Sequence, residues 1–332
     1  LAPRGAYPRY LAGEQSYWTV VGVNGDTRES TISEDGAVET GIGMPSIEPF
    51  LHVDGRLWSW ADVRSTQSLA NGYLPIPSVT WEGAPLRMTI TAIPGGEPEQ
   101  STVYARYRIE NVSGQAHDAT LYLAVRPLQV NPPWQFLNVQ GGVARIRDIA
   151  WNDTTLTVNG APVLVARGGP DGFGAAPFDA GDVVDYLRQG RLPVAARVTD
   201  PRGFASAAVA YRLKLAPGDT REVLVGIPLH GAASPVGLGY YNAACEAWEL
   251  ERQATNRWED ELGRFTLRLP AAMHGEEIAN TLRSQLAYIL INRDGPSIQP
   301  GSRSYDRSWI RDGSLTSAAL LRLGHADEVR AF

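Results

Sequence analysis

The sequence contains one cysteine, Cys245, among 332 residues. A single thiol can form neither an internal disulfide nor a thiol pair for a metal or redox site. Cysteine usage is therefore compatible with a cytoplasmic, periplasmic or secreted protein. Long hydrophobic runs are missing as well, since no stretch approaches the roughly 20 apolar residues that a transmembrane helix needs. We therefore expect no membrane partner.

Basic residues are also fewer than acidic ones, 30 against 36. The formal net charge is −6 and the isoelectric point is about 5.5. No cluster of basic residues and no glycine-rich phosphate loop is present, which excludes nucleic acid as an expected partner and favours a neutral one. Lys214 is the only lysine among many arginines, a bias that indicates a GC-rich bacterial genome.

The five histidines do not have the spacing of metal ligands. They are scattered over the chain at positions 52, 117, 230, 274 and 325. Because a metal site usually draws its ligands from short, regular spacings, we predict no metal site, and we predict no cofactor.

Short alternating segments separated by turn residues extend from about Tyr17 to Leu229, a pattern typical of an antiparallel β domain. Strands are predicted at residues 86–93, 102–109, 119–125, 155–158, 207–215 and 222–228. The turn at 111–114 predicts that the second and third of these form a hairpin, and residues 217–219 predict the last turn. We expect one large sandwich over residues 1–232.

The pattern then changes to the period of helices. An amphipathic helix is predicted over 235–262, followed by a short strand at 265–269, so that residues 233–270 form a linker. Apolar residues recur at helical spacing from Ile278 to Leu290, and a further helix starts at or near Asp312. Residues 271–332 would then form a helical hairpin.

The stretch SYDRSWIRDG, residues 304–313, brings charged and aromatic side chains to the start of that helix. Asp312 or Ser314 could cap the helix, since a short side-chain oxygen accepts hydrogen bonds from free N–H groups. A cap does not explain Arg311, because a cation is unfavourable at a helix N-terminus. An arginine and an aspartate side by side offer donors and acceptors that suit the vicinal hydroxyls of a sugar.

This stretch resembles the first helical hairpin of the six-hairpin, or (α/α)6-barrel, glycoside hydrolases and phosphorylases. Bacterial glucoamylases, in which a Trp-x-Arg-Asp motif leads into an inner helix, are the most similar. The resemblance implies a mainly β chain with a large antiparallel β-supersandwich, a helical linker and the first helices of the barrel. It also implies a glycoside hydrolase that acts on glucosides or oligosaccharides by general acid/base catalysis.

By the same resemblance, Arg311 and Asp312 would bind sugar hydroxyls and Trp309 would provide a stacking wall. Tyr305 and Asp306 are further candidates for substrate binding. Trp134 lies in a proline-rich aromatic loop that could lean over the sugar, although it could equally pack the rim of the sandwich.

Hydrolysis of a glycoside needs two carboxylates, and in the family both lie beyond the first hairpin. We therefore expect the catalytic residues beyond Phe332, in a remainder of the barrel supplied by the same or another chain. The 332 residues would then be an inactive fragment, with the apolar faces around Leu286 and Leu320 either exposed or covered by a partner chain. The alternative is a non-catalytic carbohydrate-binding or structural β-sandwich module, in which the Arg-Asp pair serves only the helix.

Overall fold

The computed structural model describes residues 2–83, 85–231 and 242–332. Strands fill the first two thirds of the chain. They are β1 (Trp18–Val21), β2 (Ser30–Ser33), β3 (Val38–Glu39), β4 (Ser46–Val53), β5 (Arg56–Trp58), β6 (Arg64–Ala70), β7 (Leu74–Glu82), β8 (Leu86–Gly95), β9 (Thr102–Asn111), β10 (His117–Arg126), β11 (Asp148–Trp151), β12 (Thr155–Val158), β13 (Ala161–Arg167), β14 (Gly172–Ala176), β15 (Arg197–Thr199), β16 (Ser206–Leu215) and β17 (Thr220–Pro228). All six strands predicted from alternation are present.

Helices follow the strands, apart from one short helix between β14 and β15. They are α1 (Val183–Leu187), α2 (Ala243–Leu262), α3 (Gly275–Ile291), α4 (Ile310–Arg322) and α5 (Ala326–Ala331). No helix within the described residues is both long enough and apolar enough to cross a membrane.

The strands form two antiparallel sheets that pack face to face. One has eight strands in the order β1-β2-β3-β4-β10-β16-β14, with β5 paired to β4, and the other has nine in the order β15-β11-β12-β13-β17-β9-β8-β7-β6. Alternate side chains of both sheets meet in one core, for example Ile90 and Tyr107 of one sheet and Leu121 and Leu123 of the other. The mainly β fold and the large antiparallel sheets are therefore confirmed.

The predicted hairpin of β9 and β10 is wrong. β9 pairs with β8 and β17 in one sheet, whereas β10 pairs with β4 and β16 in the other. The connection between them crosses the sandwich, and the side-chain amide of Asn111 donates to the carbonyl oxygen of Leu215 in β16 at 3.0 Å. The turn at 217–219 likewise joins strands of different sheets. Alternation predicts which residues face the core, but it does not distinguish the two sheets that face it.

Helix α2 covers the outer face of the nine-stranded sheet. Ala247, Leu250 and Ala254 pack against a second buried cluster that includes Ile76 and Leu224. The helix begins at Ala243, where the Asn242 side chain caps it by accepting a hydrogen bond from the N–H of Cys245. Residues 235–241, where the helix was predicted to begin, lie outside the described part of the chain, as does the predicted boundary at 232–233.

The second half of α2 also packs on the helices that follow. Trp258 of α2, Leu286 of α3 and Leu320 of α4 are buried in one cluster, which includes Leu74 of β7. The expectation that the apolar faces around Leu286 and Leu320 are exposed or covered by a partner chain is therefore wrong, because α2 and the sandwich cover them. Other residues of α4 are exposed instead, including Ile310 (82%) and Leu315 (69%).

Residues 265–269 do not form the predicted strand. The Phe265 side chain packs on the helical cluster, so its apolar character reflects helix packing rather than pairing with a sheet. Helices α3, α4 and α5 follow in the expected order, but residues 242–332 do not form a closed barrel.

Candidate carbohydrate-binding site

Residues 302–309, which we call the strap, lead from the loop after α3 into α4. Trp309 occupies the N-cap position with an extended backbone, and its carbonyl oxygen accepts the first helical hydrogen bond from the N–H of Gly313 at 2.8 Å. Asp312 is consequently the third helical residue. No side chain caps this helix, and the Ser314 hydroxyl donates to the carbonyl oxygen of Ile310. The expectation that Asp312 or Ser314 caps the helix is therefore wrong.

Arg311 and Asp312 form an exposed, loosely bonded pair in the first turn of α4. The side chain of Arg311 is 84% exposed and that of Asp312 is 36% exposed. One guanidinium nitrogen, Nη2, lies 3.3 and 3.4 Å from the two carboxylate oxygens. The remaining donors of Arg311 face solvent, so the pair can bind a ligand without losing a buried contact.

Two aromatic side chains of the strap lie beside one another just before this pair. The ring centroids of Tyr305 and Trp309 are 5.9 Å apart with a tilt of 59°. The guanidinium of Arg307 lies over the Trp309 ring at 5.5 Å. Tyr305 remains more than half exposed. A partly exposed pair of rings next to an exposed Arg-Asp pair provides both kinds of surface that a sugar contacts.

A loop of the sandwich, residues 127–144, packs against the strap. Asn138 accepts a hydrogen bond from the backbone N–H of Asp306 at 3.2 Å, and the Ser304 hydroxyl donates to the Gln135 side chain. Trp134 lies in this loop, half exposed, and its ring meets that of the buried Tyr10 edge-on at 6.4 Å. The sandwich loop therefore contacts the strap, and Trp134 also packs on the sandwich rim.

Asp306 is the one carboxylate within the strap. Its side chain is about half buried, and burial raises its pKa above the ordinary range, against the opposing effect of the nearby Arg303 guanidinium. A carboxyl group with a raised pKa holds its proton to a higher pH than an ordinary aspartate does.

Arg303 anchors the strap to the sandwich, and sequence reasoning missed it. Its side chain is 3% exposed and donates five hydrogen bonds, two to the Glu39 carboxylate, two to the carboxylate and carbonyl oxygens of Glu29, and one to the Ser302 carbonyl. An arginine between two serines carries no local signal of burial.

Glu39 connects the two halves of the site. One carboxylate oxygen accepts from Arg303 at 2.7 Å, and the other accepts from the backbone N–H of Asn131 in the sandwich loop at 3.2 Å. Glu39 ends β3 and is fully buried, so the strap and the sandwich loop are both fixed to one strand.

A separate group of possible metal ligands lies where the end of α2 meets the start of α5. Donor atoms of Glu261, His325 and Glu328 lie within 4.8 Å of one another. The Arg264 guanidinium lies 2.7 Å from Glu261 and 3.2 Å from Glu328, so a cation already occupies the centre of this group. His325 is fully buried.

Comparison with known proteins identifies the fold. No family model and no curated protein matches the sequence. The structure superimposes on a bacterial glucoamylase solved in complex with acarbose, with a TM-score of 0.61 and 12% sequence identity over 96% of this chain. The fold is therefore shared with that enzyme, and the predicted resemblance to six-hairpin glycoside hydrolases is confirmed at the level of the fold.

The chain spans about half the length of the glucoamylase, since the match covers 50% of that protein. Weaker matches include a putative kojibiose phosphorylase from the human microbiome (8% identity, 81% of this chain and 33% of that one, TM-score 0.37). Another is a family GH92 inverting mannosidase from Bacteroides thetaiotaomicron (12% identity, 84% of this chain and 35% of that one, TM-score 0.41). Because these two superpositions are poor, no conclusion rests on them.

Proposed function

We propose that the chain is the sandwich and first helical part of a carbohydrate-active enzyme, a glycoside hydrolase that acts on glucosides or oligosaccharides. In this proposal residues 1–232 form the supersandwich, 233–270 the linker and 271–332 the first hairpin of an (α/α) barrel. Because the chain spans half of the glucoamylase that it resembles, the catalytic carboxylates are proposed to lie outside the 332 residues.

The observation that carries the proposal is the exposed Arg311–Asp312 pair, which follows closely in the chain after the adjacent rings of Tyr305 and Trp309. Asp312 would accept hydrogen bonds from sugar hydroxyls and Arg311 would donate to them. Charge-assisted bonds of this kind contribute about 1.5–3 kcal/mol each. Trp309 and Tyr305 would pack against the C–H face of the ring, and Trp134 would approach the sugar from the sandwich loop.

The position of Arg311 favours this function over the alternative of a structural module. Asp312 is the third helical residue and does not cap α4, but a carboxylate there still suits the positive end of the helix dipole, so Asp312 fits either role. The positive charge of Arg311 at the second helical position interacts unfavourably with the helix dipole, and a binding role would account for its position.

Titration of the chain with acarbose tests the proposal. We expect Asp312→Asn to lower the affinity at least about tenfold, because the neutral amide loses a charged acceptor. Asp327→Asn is the matched control, since Asp327 is an exposed aspartate in the first turn of α5. Equal affinity of Asp312→Asn and the wild type would refute the sugar contact and leave the structural module.

Turnover tests the placement of the catalytic groups. We expect the purified chain to release no product from maltooligosaccharides or aryl glucosides above background. Turnover that disappears in Asp306→Asn would contradict the proposal, because it would place a catalytic carboxylate on the strap.

A further inference from the structure

A cleft with a cavity volume of about 440 Å³ lies on the sandwich and shares no residue with the strap. This volume falls within the range of small-ligand pockets. Its walls combine three aromatic rings with charged side chains, which are Tyr7, Phe178, Phe204, Arg126, Asp182 and Asp185.

The charged floor of the cleft is fixed by the fold. The Arg126 side chain is 1% exposed and donates to the Glu48 carboxylate, to the carbonyl oxygen of Ala6 and to Asp182, the last at 3.3 Å. Asp182 also accepts from the N–H of Val184 at 2.9 Å, which holds its carboxylate at the cleft wall. Polar groups held in this way need no reorganisation when a ligand arrives.

The aromatic wall is fixed as well. Phe178 is half exposed and its ring lies 5.8 Å from that of Phe204. The guanidinium groups of Arg202 and Arg145 lie over Phe178 and Phe204, each at 5.4 Å from the ring centroid. Arg202 is itself bonded to Asp179, so the exposed phenylalanine is supported from one side and open to the cleft. Together the Phe178 and Phe204 rings give the cleft the aromatic lining that small-ligand sites commonly have.

We propose that this cleft binds one pyranose unit of a neutral oligosaccharide and is a second carbohydrate site. The C–H face of the sugar would pack on Phe178, and its hydroxyls would donate to Asp182 and Asp185. The carboxylates of Asp182 and Asp185 at the wall disfavour an anionic ligand, and the buried Arg126, already paired with Asp182 and with Glu48 beneath the cleft, disfavours a phosphate. The choice of a carbohydrate rests on the proposed function, whereas the shape and charge of the cleft do not.

The position of the cleft connects it to the first site. Pro127 and Leu128, which line the cleft, begin the sandwich loop whose Gln135 and Asn138 contact the strap. One loop therefore borders both sites, so a longer oligosaccharide could be held by the sandwich as well as by the strap.

Calorimetric titration in an Arg311→Ala background tests the cleft, because that change removes the proposed first site. Maltoheptaose, cellohexaose and mannohexaose would be titrated in turn. We expect one of them to bind, and we expect Phe178→Ala or Asp185→Asn to weaken that binding about tenfold. Trp248→Ala is the control, since Trp248 is an exposed ring with Arg252 beside it and lies outside both sites.

The outcomes separate the two proposals. Binding that is lost in Phe178→Ala and retained in Trp248→Ala supports the cleft, provided that the circular dichroism of the variants is unchanged. The proposal of a second site is overturned if the affinity is unchanged in Phe178→Ala and Asp185→Asn, or if none of the three sugars binds. Equal acarbose affinity of Asp312→Asn and the wild type would contradict the proposed function alone, because binding to the cleft is measured in a background that lacks the Arg311 side chain.

Discussion

Two arginines, one at the start of the strap and one in the first turn of α4, have opposite environments. Arg303 is 3% exposed and gives all its N–H groups to protein oxygens, whereas Arg311 is 84% exposed and its Nη2 makes two long contacts with the Asp312 carboxylate. The same residue type is therefore a structural anchor in one place and an available binding group in the other. Burial and the number of satisfied donors distinguish the two roles.

The energetic consequences differ in the same way. Breaking a buried ion pair by removing one partner leaves an uncompensated charge and is strongly destabilising. An exposed ion pair contributes about 0–1 kcal/mol. We therefore expect the stability of the fold to depend on Arg303 and hardly on Arg311.

The largest effect is expected from Arg303→Met. The change leaves the Glu39 carboxylate buried without its cation and the Glu29 side chain without its hydrogen-bond donor, and we expect a loss of about 3–5 kcal/mol in the free energy of unfolding. Urea unfolding followed by circular dichroism measures it. Arg307→Met, a change at an exposed arginine of the strap, is the control. A loss below about 1 kcal/mol for Arg303→Met would show that the anchor is not needed.

A second effect, visible as a pH dependence, is expected from Glu29→Gln. Burial raises the pKa of Glu29 from 4.5 to about 8, although Arg303 opposes the shift. Because the folded state holds this proton more tightly than the unfolded state, the stabilisation is complete below pH 4.5 and is lost as the pH rises towards 8.

Glu29→Gln should remove that part of the decline, while Glu97→Gln, a change at an exposed glutamate, should keep it. The free energy of unfolding measured at several pH values between 4.5 and 8 would decide. Parallel curves for Glu29→Gln and the wild type would contradict the account of the buried carboxyl.

A still smaller loss is expected from Ser304→Ala, which removes the side-chain bond between the strap and Gln135 of the sandwich loop. One hydrogen bond between neutral groups contributes about 0.5–1.5 kcal/mol. The variant should lose about 1 kcal/mol in urea unfolding, between the effects of Arg303 and Arg311. No loss at all would mean that the loop is held to the strap by other contacts.

The smallest effect on stability is expected from Asp312→Asn. The pair is exposed and does not cap the helix, so the free energy of unfolding should stay within about 0.5 kcal/mol of the wild type. Thermal unfolding checks it. A larger loss would assign Asp312 to the helix rather than to a ligand.

The sequence predicted the local elements well and their partners poorly. Alternation located strands such as β12 and β16, and helical spacing located α3, because both signals come from neighbouring residues. The choice of sheet for β9 and β10 depends on strands far away in the chain, such as β16, and no local pattern encodes it.

The candidate site divides in the same way. Arg311, Asp312 and Trp309 are proposed from their order in the sequence, and the sandwich loop from its composition. The Arg303 anchor was missed because its partners Glu29 and Glu39 lie more than 260 residues earlier. The burial of Leu286 and Leu320 was missed because it depends on where α2 packs.

The central claim, that the exposed arginine binds a sugar while the buried one holds the fold, is tested most directly by the affinity of Arg311→Ala for acarbose. Arg322→Ala, a change at an exposed arginine at the other end of α4, is the matched control. The account predicts that Arg311→Ala binds acarbose at least about tenfold more weakly than the control, with the same urea midpoint. Equal affinities, or a loss of affinity that accompanies a lower midpoint, would contradict it.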